Sequence, residues 1–381
     1  MRLLVAGITG QLGAGIVETC DRALVDIVPL ARPLASRGVG ARLSAAYPGR
    51  PELVENAVEG DVTRPNWGLD EAAVRRLAVE VDGLLNVAGA TNWAGERRQL
   101  NAVNYIGAMH GYELARALGE AAGSPKLYCY ASSIHAAGGM EGYVPEQPFG
   151  RDEHRTAYEL SKWLGETSLL ERAARDDGDG PALCVARVGG LVGNSETGAT
   201  HRRNSLYMMA DRLDDLWLGI LPLSRGGRVD MLHRDVAAEL LLDALAQLHA
   251  DPPAPHKPEI VHVCAGESAP LTEAVFRVLA SVDLAHRRRR PRTVRVPIDA
   301  VLAASEQLRR YHDVPRKWDN MLIGLRYLAL DRVFERARLA SIVRRPLPTV
   351  GIEALVRSAF EVPERSEIPS APRTSLARFA G

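Results

Sequence analysis

The chain has 381 residues, 46% of them hydrophobic, and its 47 Lys and Arg are balanced by 47 Asp and Glu. This length and composition suit one large α/β domain with insertions, or two closely associated domains, with a sizeable core. Zero net charge gives no overall field favouring nucleic acid or an anionic membrane, and no apolar stretch reaches the roughly twenty residues that a membrane span needs.

The elements follow in chain order. The N-terminus, MRLLVAGITG, has no long apolar segment of the kind that marks a signal peptide. Instead Leu3 to Ala6 is a short apolar strand ending at Gly7, and Gly13 to Cys20 has helical spacing. Leu24 to Leu30 is a second strand, with Arg32 just beyond it. Leu53 to Val58 reads as a third, followed by Gly60-Asp61-Val62. Asp70 to Glu80 is a helix, and Asp82 to Ala88 is a fourth strand running into Gly89. Arg97 to Leu118 is one long helix containing Asn104, and Leu127 to Ala131 is a fifth strand ending at Ser132-Ser133. Ala157 to Arg172 is helical, Ala182 to Val188 is a sixth strand and Ile260 to Cys264 a seventh.

Strands alternating with helices of this length imply βαβ units. The expected fold is α/β: a Rossmann-type doubly wound parallel sheet with a smaller, mainly helical C-terminal substrate-binding portion. Residues 1–193 form the dinucleotide-binding domain, with 229–265 returning to the sheet. Residues 194–228 and 266–362 form the substrate-binding portion, and 363–381 a loosely ordered tail. Ligands of such sheets bind beyond the carboxyl ends of the strands, where Arg32, Asp61, Gly89 and Ser133 fall. The four cysteines show no metal-binding spacing, and three lie in apolar strand-like runs. They read as buried reduced thiols of a cytoplasmic protein, with no metal site. The basic run His286–Arg292 reads either as a solvated loop or as a contact for phosphates or an acidic partner.

Gly7, Gly10 and Gly13 follow a strand and open a helix. This setting permits a tight turn, close approach of a pyrophosphate and close contact between helix and strand. A turn that serves only internal contacts is the alternative. Beyond the second strand stands Arg32, where an acidic residue would bind the ribose of NAD. Its guanidinium can pair with a 2′-phosphate, which favours NADPH/NADP, although an ordinary surface arginine would look the same.

Tyr158 and Lys162 are four apart and share a helix face. Only four lysines occur in the chain, so a lysine at this position is notable. Its ammonium is expected to lower the phenol's pKa so that Tyr158 serves as proton donor to a carbonyl. Ser133 can hold the carbonyl oxygen, and Asn104 can hold a water linking Lys162 to solvent. A surface Tyr and Lys on an amphipathic helix is the alternative reading.

Taken together, the glycine run, Gly60-Asp61-Val62, Asn86-Val87-Ala88-Gly89, Asn104, Ser133, Tyr158 and Lys162 resemble the extended short-chain dehydrogenase/reductase superfamily over most of residues 1 to 265. The stretches Gly60 to Gly68 and Thr91-Asn92-Trp93, with YELSKWLGE, ARVGGLVGNSETG and VDMLHRDVA, resemble its thioester-reductase branch, related to fatty acyl-CoA reductases. The resemblance implies a catalytic set of Ser133, Tyr158, Lys162 and Asn104. Of the two adjacent serines it selects the later. It implies cofactor contacts from Gly7, Thr9, Gly10, Gln11, Leu12, Gly13, Arg32, Asp61 (to adenine), Val62, Ala88, Gly89 and Val188, besides Tyr158 and Lys162. It further implies NADPH-dependent reduction of an acyl thioester on CoA or an acyl carrier protein, through a hemithioacetal to an aldehyde, in specialised metabolism. Serine stands where the family often has threonine, Val188 where proline is common, and no carrier or adenylation domain is recognised. A ketoreductase acting on a free small molecule, a sugar-nucleotide epimerase or dehydratase, and a cofactor-binding regulator remain as alternatives.

Overall fold

The computed structural model describes residues 1–200 apart from 34–36, 94, 152, 177 and 179, residues 226–281 apart from 255, and residues 317–352. Short pieces at 207, 220–223, 292–295, 300–301, 303–304, 307 and 355–356 complete it. Most of the basic run at His286–Arg292, much of 194–228 and the tail from Pro363 lie outside the described residues.

Seven strands form one parallel sheet: β1 (Arg2–Ala6), β2 (Asp26–Ala31), β3 (Val58–Glu59), β4 (Gly83–Asn86), β5 (Leu127–Ser133), β6 (Ala182–Val188) and β7 (Glu259–Val263). Their order across the sheet is β7-β6-β5-β4-β1-β2-β3. In register, Leu4 of β1 faces both Val28 and Leu84. The chain winds outward in opposite directions from β1 and β4, so a crevice opens between their carboxyl ends. This is the doubly wound sheet that the alternation of elements implied.

Both faces of the sheet are covered, which is why its strands read as continuous apolar runs. Leu3 and Val5 face one core, with Cys129, Cys184 and Val261, under the helices α1 (Gln11–Thr19), α5 (Arg234–Ala250) and α6 (Ala337–Val343). Leu4 and Ala6 face the other, with Tyr128 and Val185, under α2 (Glu71–Glu80), α3 (Gly107–Ala122) and α4 (Ala157–Ala174). The Asp70 side chain caps α2, accepting a hydrogen bond from Ala73 N at 2.8 Å.

Besides shifts of one or two residues at the ends of other elements, three parts differ from the sequence reading. The third strand is only Val58–Glu59; Glu52–Glu55, entered through Pro51, is a helical turn that buries Leu53. Leu24 lies at φ 53°, so β2 begins at Asp26. The long helix is interrupted: Arg97–Asn101 passes through a π-helical turn, Ala102–Ile106, before α3 begins. Such turns insert one residue into the ladder and redirect side chains.

Later segments reach both the flank and the mouth of the sheet. α6 buries Leu339, Ile342 and Val343 in the same core as α5, and Arg345 pairs with Asp243 at 2.7 Å. The strand Arg332–Phe334 pairs with Gly142–Val144, and the helix Lys317–Ala329 carries Tyr327 against Trp93 and His135.

Candidate active site

The glycines after β1 meet different demands. Gly7 has φ +92°, and a Cβ there would lie 2.3 Å from Ala88 N. A Cβ on Gly13 would lie 2.3 Å from Ile8 O, whereas on Gly10 it would meet only Gly7 O, at 3.2 Å. Gly10 is also the N-cap of α1 and brings no side chain to cover the first N–H groups of the helix. The room at Gly10, at a helix N-terminus without a side-chain cap, fits a pyrophosphate. Leu12 is buried in the core, and the Gln11 amide donates to Val192 O and Thr200 Oγ1, so both would serve a ligand through their backbone.

The crevice beyond β2 holds two arginines, Arg32 and Arg42. Arg42 Nη2 donates to Thr9 Oγ1 at 2.5 Å and Nη1 to Arg32 O at 3.1 Å, so Arg42 joins the glycine turn to the end of β2. Arg42 escaped the sequence reading because ten positions separate it from Arg32; its signal was a second arginine in the next helix. Arg32 itself is exposed and acts on Asp61. Burial raises the Asp61 pKa, but Thr63 N and Oγ1, donating at 3.0 and 2.8 Å, together with Arg32 and Arg64, carry it below its ordinary value. Asp61 is fixed from below by Trp67, whose carbonyl accepts Asp61 N at 2.7 Å and whose buried indole donates to Gly107 O at 3.1 Å. Val62 lies against Gly107, and its carbonyl sits 3.3 Å from His110 Nδ1.

Farther along the crevice, β5 and α4 bring Ser133, Tyr158 and Lys162 together. A capping box at Thr156 and Glu159 fixes the first turn of α4, and Tyr158 and Lys162 are buried on one face of that helix. Ser133 lies near enough to the Tyr158 phenol to lower its pKa, while Ser132 Oγ donates to Glu166 at 3.0 Å in a separate buried network. Of the two serines, therefore, Ser133 faces Tyr158. Lys162 Nζ donates to Ala131 O at 2.8 Å and lies 3.6 Å from where a Cβ on Gly89 would be. Burial lowers its pKa to about 7, opposed by Glu166. Ala88 N donates to Asn86 Oδ1 at 3.2 Å, and Val188 stands beside Ser133 on the neighbouring strand.

Two details depart from expectation. The Tyr158 pKa is raised rather than lowered: burial dominates, Ser133 opposes it, and the other contributor is Glu159, not Lys162. The Asn104 side chain clamps the loop after β4, accepting Ala90 N and donating to Ala90 O, both at 2.9 Å, and also donates to Ser161 Oγ at 2.9 Å. Its carbonyl accepts the Tyr130 hydroxyl at 2.7 Å. Asn104 thus shapes the Gly89 wall with its polar atoms engaged by protein. His135 and Tyr327, which line the same mouth, were also missed: their positions depend on contacts between distant segments.

The sequence profile of the family described as male sterility protein, an NAD-binding family, matches residues 5–241. The chain is similar to glycine betaine reductase ATRR of Emericella nidulans, with 23% identity over 63% of this chain and 19% of that protein. It is also similar to a linear gramicidin synthase of Brevibacillus parabrevis, with 28% identity over 62% of this chain and 5% of that protein. The chain thus spans about a fifth or less of these relatives. Among solved structures, the terminal R domain of the myxalamid PKS-NRPS pathway superposes with a TM-score of 0.72 at 18% identity, covering 94% of this chain and 89% of that one. A UDP-galactose 4-epimerase superposes with a TM-score of 0.61 at 16% identity, covering 95% and 98%.

Proposed function

The chain belongs to the male sterility protein family, within the extended short-chain dehydrogenase/reductase superfamily of NAD(P)-binding oxidoreductases, and on that premise we propose that it is an NADPH-dependent reductase of acyl thioesters. The observation that carries the reading is the meeting of Ser133, Tyr158 and Lys162 at the mouth of a crevice that begins at Gly10.

The N-terminus of α1 would hold the pyrophosphate, Asp61 the adenine end, and Arg32 with Arg42 a 2′-phosphate. Lys162 would hold the nicotinamide ribose. When bound, NADPH supplies the hydride. Ser133 orients the thioester carbonyl, and Tyr158 delivers a proton to its oxygen as negative charge develops there. Loss of the thiol from the resulting hemithioacetal gives an aldehyde. The balance is thioester, NADPH and one proton consumed, with aldehyde, thiol and NADP⁺ formed. A relative named as a reductase, another named as a linear gramicidin synthase, and the likeness to a thiolation-reductase di-domain of a non-ribosomal peptide synthetase support a reductase acting in biosynthesis on an acyl group carried as a thioester.

The test is to mix the protein with NADPH and acyl thioesters of CoA and of a carrier protein, following NADPH absorbance and trapping aldehyde. Stoichiometric aldehyde and NADP⁺ are expected. Reduction of free ketones with none of any thioester would make the chain a ketoreductase. Tightly retained NAD with no net turnover would make it an epimerase or dehydratase.

A further inference from the structure

His135 lies two residues beyond Ser133, and its backbone N–H donates to Ser133 Oγ at 3.2 Å. Its half-buried ring stands 6.4 Å from the Tyr158 ring, centre to centre. Tyr327 and Trp93 flank it at 4.6 and 5.7 Å and touch each other at 4.4 Å. Tyr327 is held by Thr156, its hydroxyl 3.1 Å from Thr156 Oγ1. An aromatic wall therefore stands beside the catalytic phenol, built from three distant parts of the chain.

One polar atom in this wall has no assigned task. His135 Nδ1 sits 3.1 Å from Nη2 of Arg332, a buried residue whose Nη1 donates to Gly138 O at 3.2 Å. A guanidinium only donates, so Nδ1 must accept, and the imidazole proton is forced onto Nε2. Among the described residues Nε2 has no hydrogen-bond partner. Burial and Arg332 together push the ring's pKa down to about 3, so it stays neutral at physiological pH.

We propose that His135, locked by Arg332 as the Nε2–H tautomer, is a positioning residue that donates a hydrogen bond to an acceptor on the acyl group beside the carbonyl served by Tyr158. The inference rests on the reductase reading and narrows its substrate. The favoured acyl group carries a neutral oxygen near the thioester, such as a hydroxyl or an N-acyl carbonyl. A free ammonium at that position cannot accept a hydrogen bond.

Two measurements test this independently of turnover. Nitrogen chemical shifts of labelled histidine in the full chain, assigned by difference, should show His135 neutral with its proton on Nε2 from about pH 5 to 8. A doubly protonated ring at pH 6, or a proton on Nδ1, overturns the proposal. The second is binding of two non-reducible amide analogues of pantetheine thioesters in the presence of NADP⁺, one N-acetylaminoacyl and one plain alkanoyl. His135→Asn keeps an acceptor for Arg332 and removes the Nε2 donor, whereas His135→Gln retains a donor near Nε2. His135→Asn should weaken the acceptor-bearing analogue about 5- to 10-fold and the plain one less than about 2-fold, with His135→Gln restoring most of the difference. Equal losses on both analogues, or none on either, overturn the proposal. Failure of wild-type protein to reduce any thioester would instead strike at the reductase reading.

Discussion

A methyl group added at Gly13 would strike the Ile8 carbonyl at 2.3 Å, whereas at Gly10 it meets only Gly7 O at 3.2 Å. Gly13→Ala is therefore expected to lower thermal stability markedly. Gly10→Ala should melt within a few degrees of wild type yet lose about 10-fold or more in NADPH affinity by fluorescence titration, because the methyl enters the phosphate path. Unchanged affinity would mean that the turn serves only internal contacts. Tyr158→Phe should reduce kcat by about 100- to 10,000-fold while NADPH binding stays nearly intact. Arg42→Ala should weaken NADPH several-fold more than NADH, and an equal effect on both would remove it from the 2′-phosphate site. The Tyr158–Lys162 pair could be read from sequence because helical spacing alone puts both on one face. Arg42 and His135 could not. The first lies ten positions from Arg32 in the next helix, and the role of the second is set by Arg332, 197 positions away.

Strands β5, β6 and β7 are joined to α4 by a buried ionic network. Arg187, fully buried, pairs with Glu166, donates to Gln147 O at 2.7 Å and approaches His262 Nε2 at 3.0 Å, with the Phe149 ring 3.3 Å away. Ser132 adds its hydroxyl to Glu166. The network sits one helical turn beyond Lys162 and so sets where α4 presents Tyr158 to Ser133. Arg187→Met or Glu166→Leu alone should cost about 3–5 kcal/mol by leaving a buried charge unpaired, and the double variant should cost less than either. Urea unfolding would read this, and strictly additive losses would contradict it. Two-sided burial made most strands legible as apolar runs. It failed at Leu53-Val54, where a helical turn buries only Leu53. The π turn at Asn104 left no mark either, since one inserted residue hardly alters an apolar stripe.

On the scale of the whole molecule, Glu146 ties the C-terminal segment to the sheet. Its carboxylate accepts His262 N at 2.8 Å, Arg338 N at 2.5 Å and Leu339 N at 3.3 Å. Burial nonetheless raises its pKa from the ordinary 4.5 to about 7, with Glu335 adding to the rise and those N–H groups opposing it. The folded state therefore holds this proton more tightly than the unfolded chain. Its stabilising contribution is full below about pH 4.5 and is lost as pH rises through about 7. Glu146→Gln mimics the protonated form, so its melting temperature should gain on wild type between pH 5 and 8; a constant gap would refute this. The doubly wound core was legible because it is built from local units. The mouth was not, since Trp93, His135 and Tyr327 meet only after the later segments fold back over β5. All four cysteines of the chain are sealed beneath these layers. An alkylating reagent would find no thiol to attack until a layer lifts, so the rate of cysteine labelling becomes a clock for how often the native molecule opens.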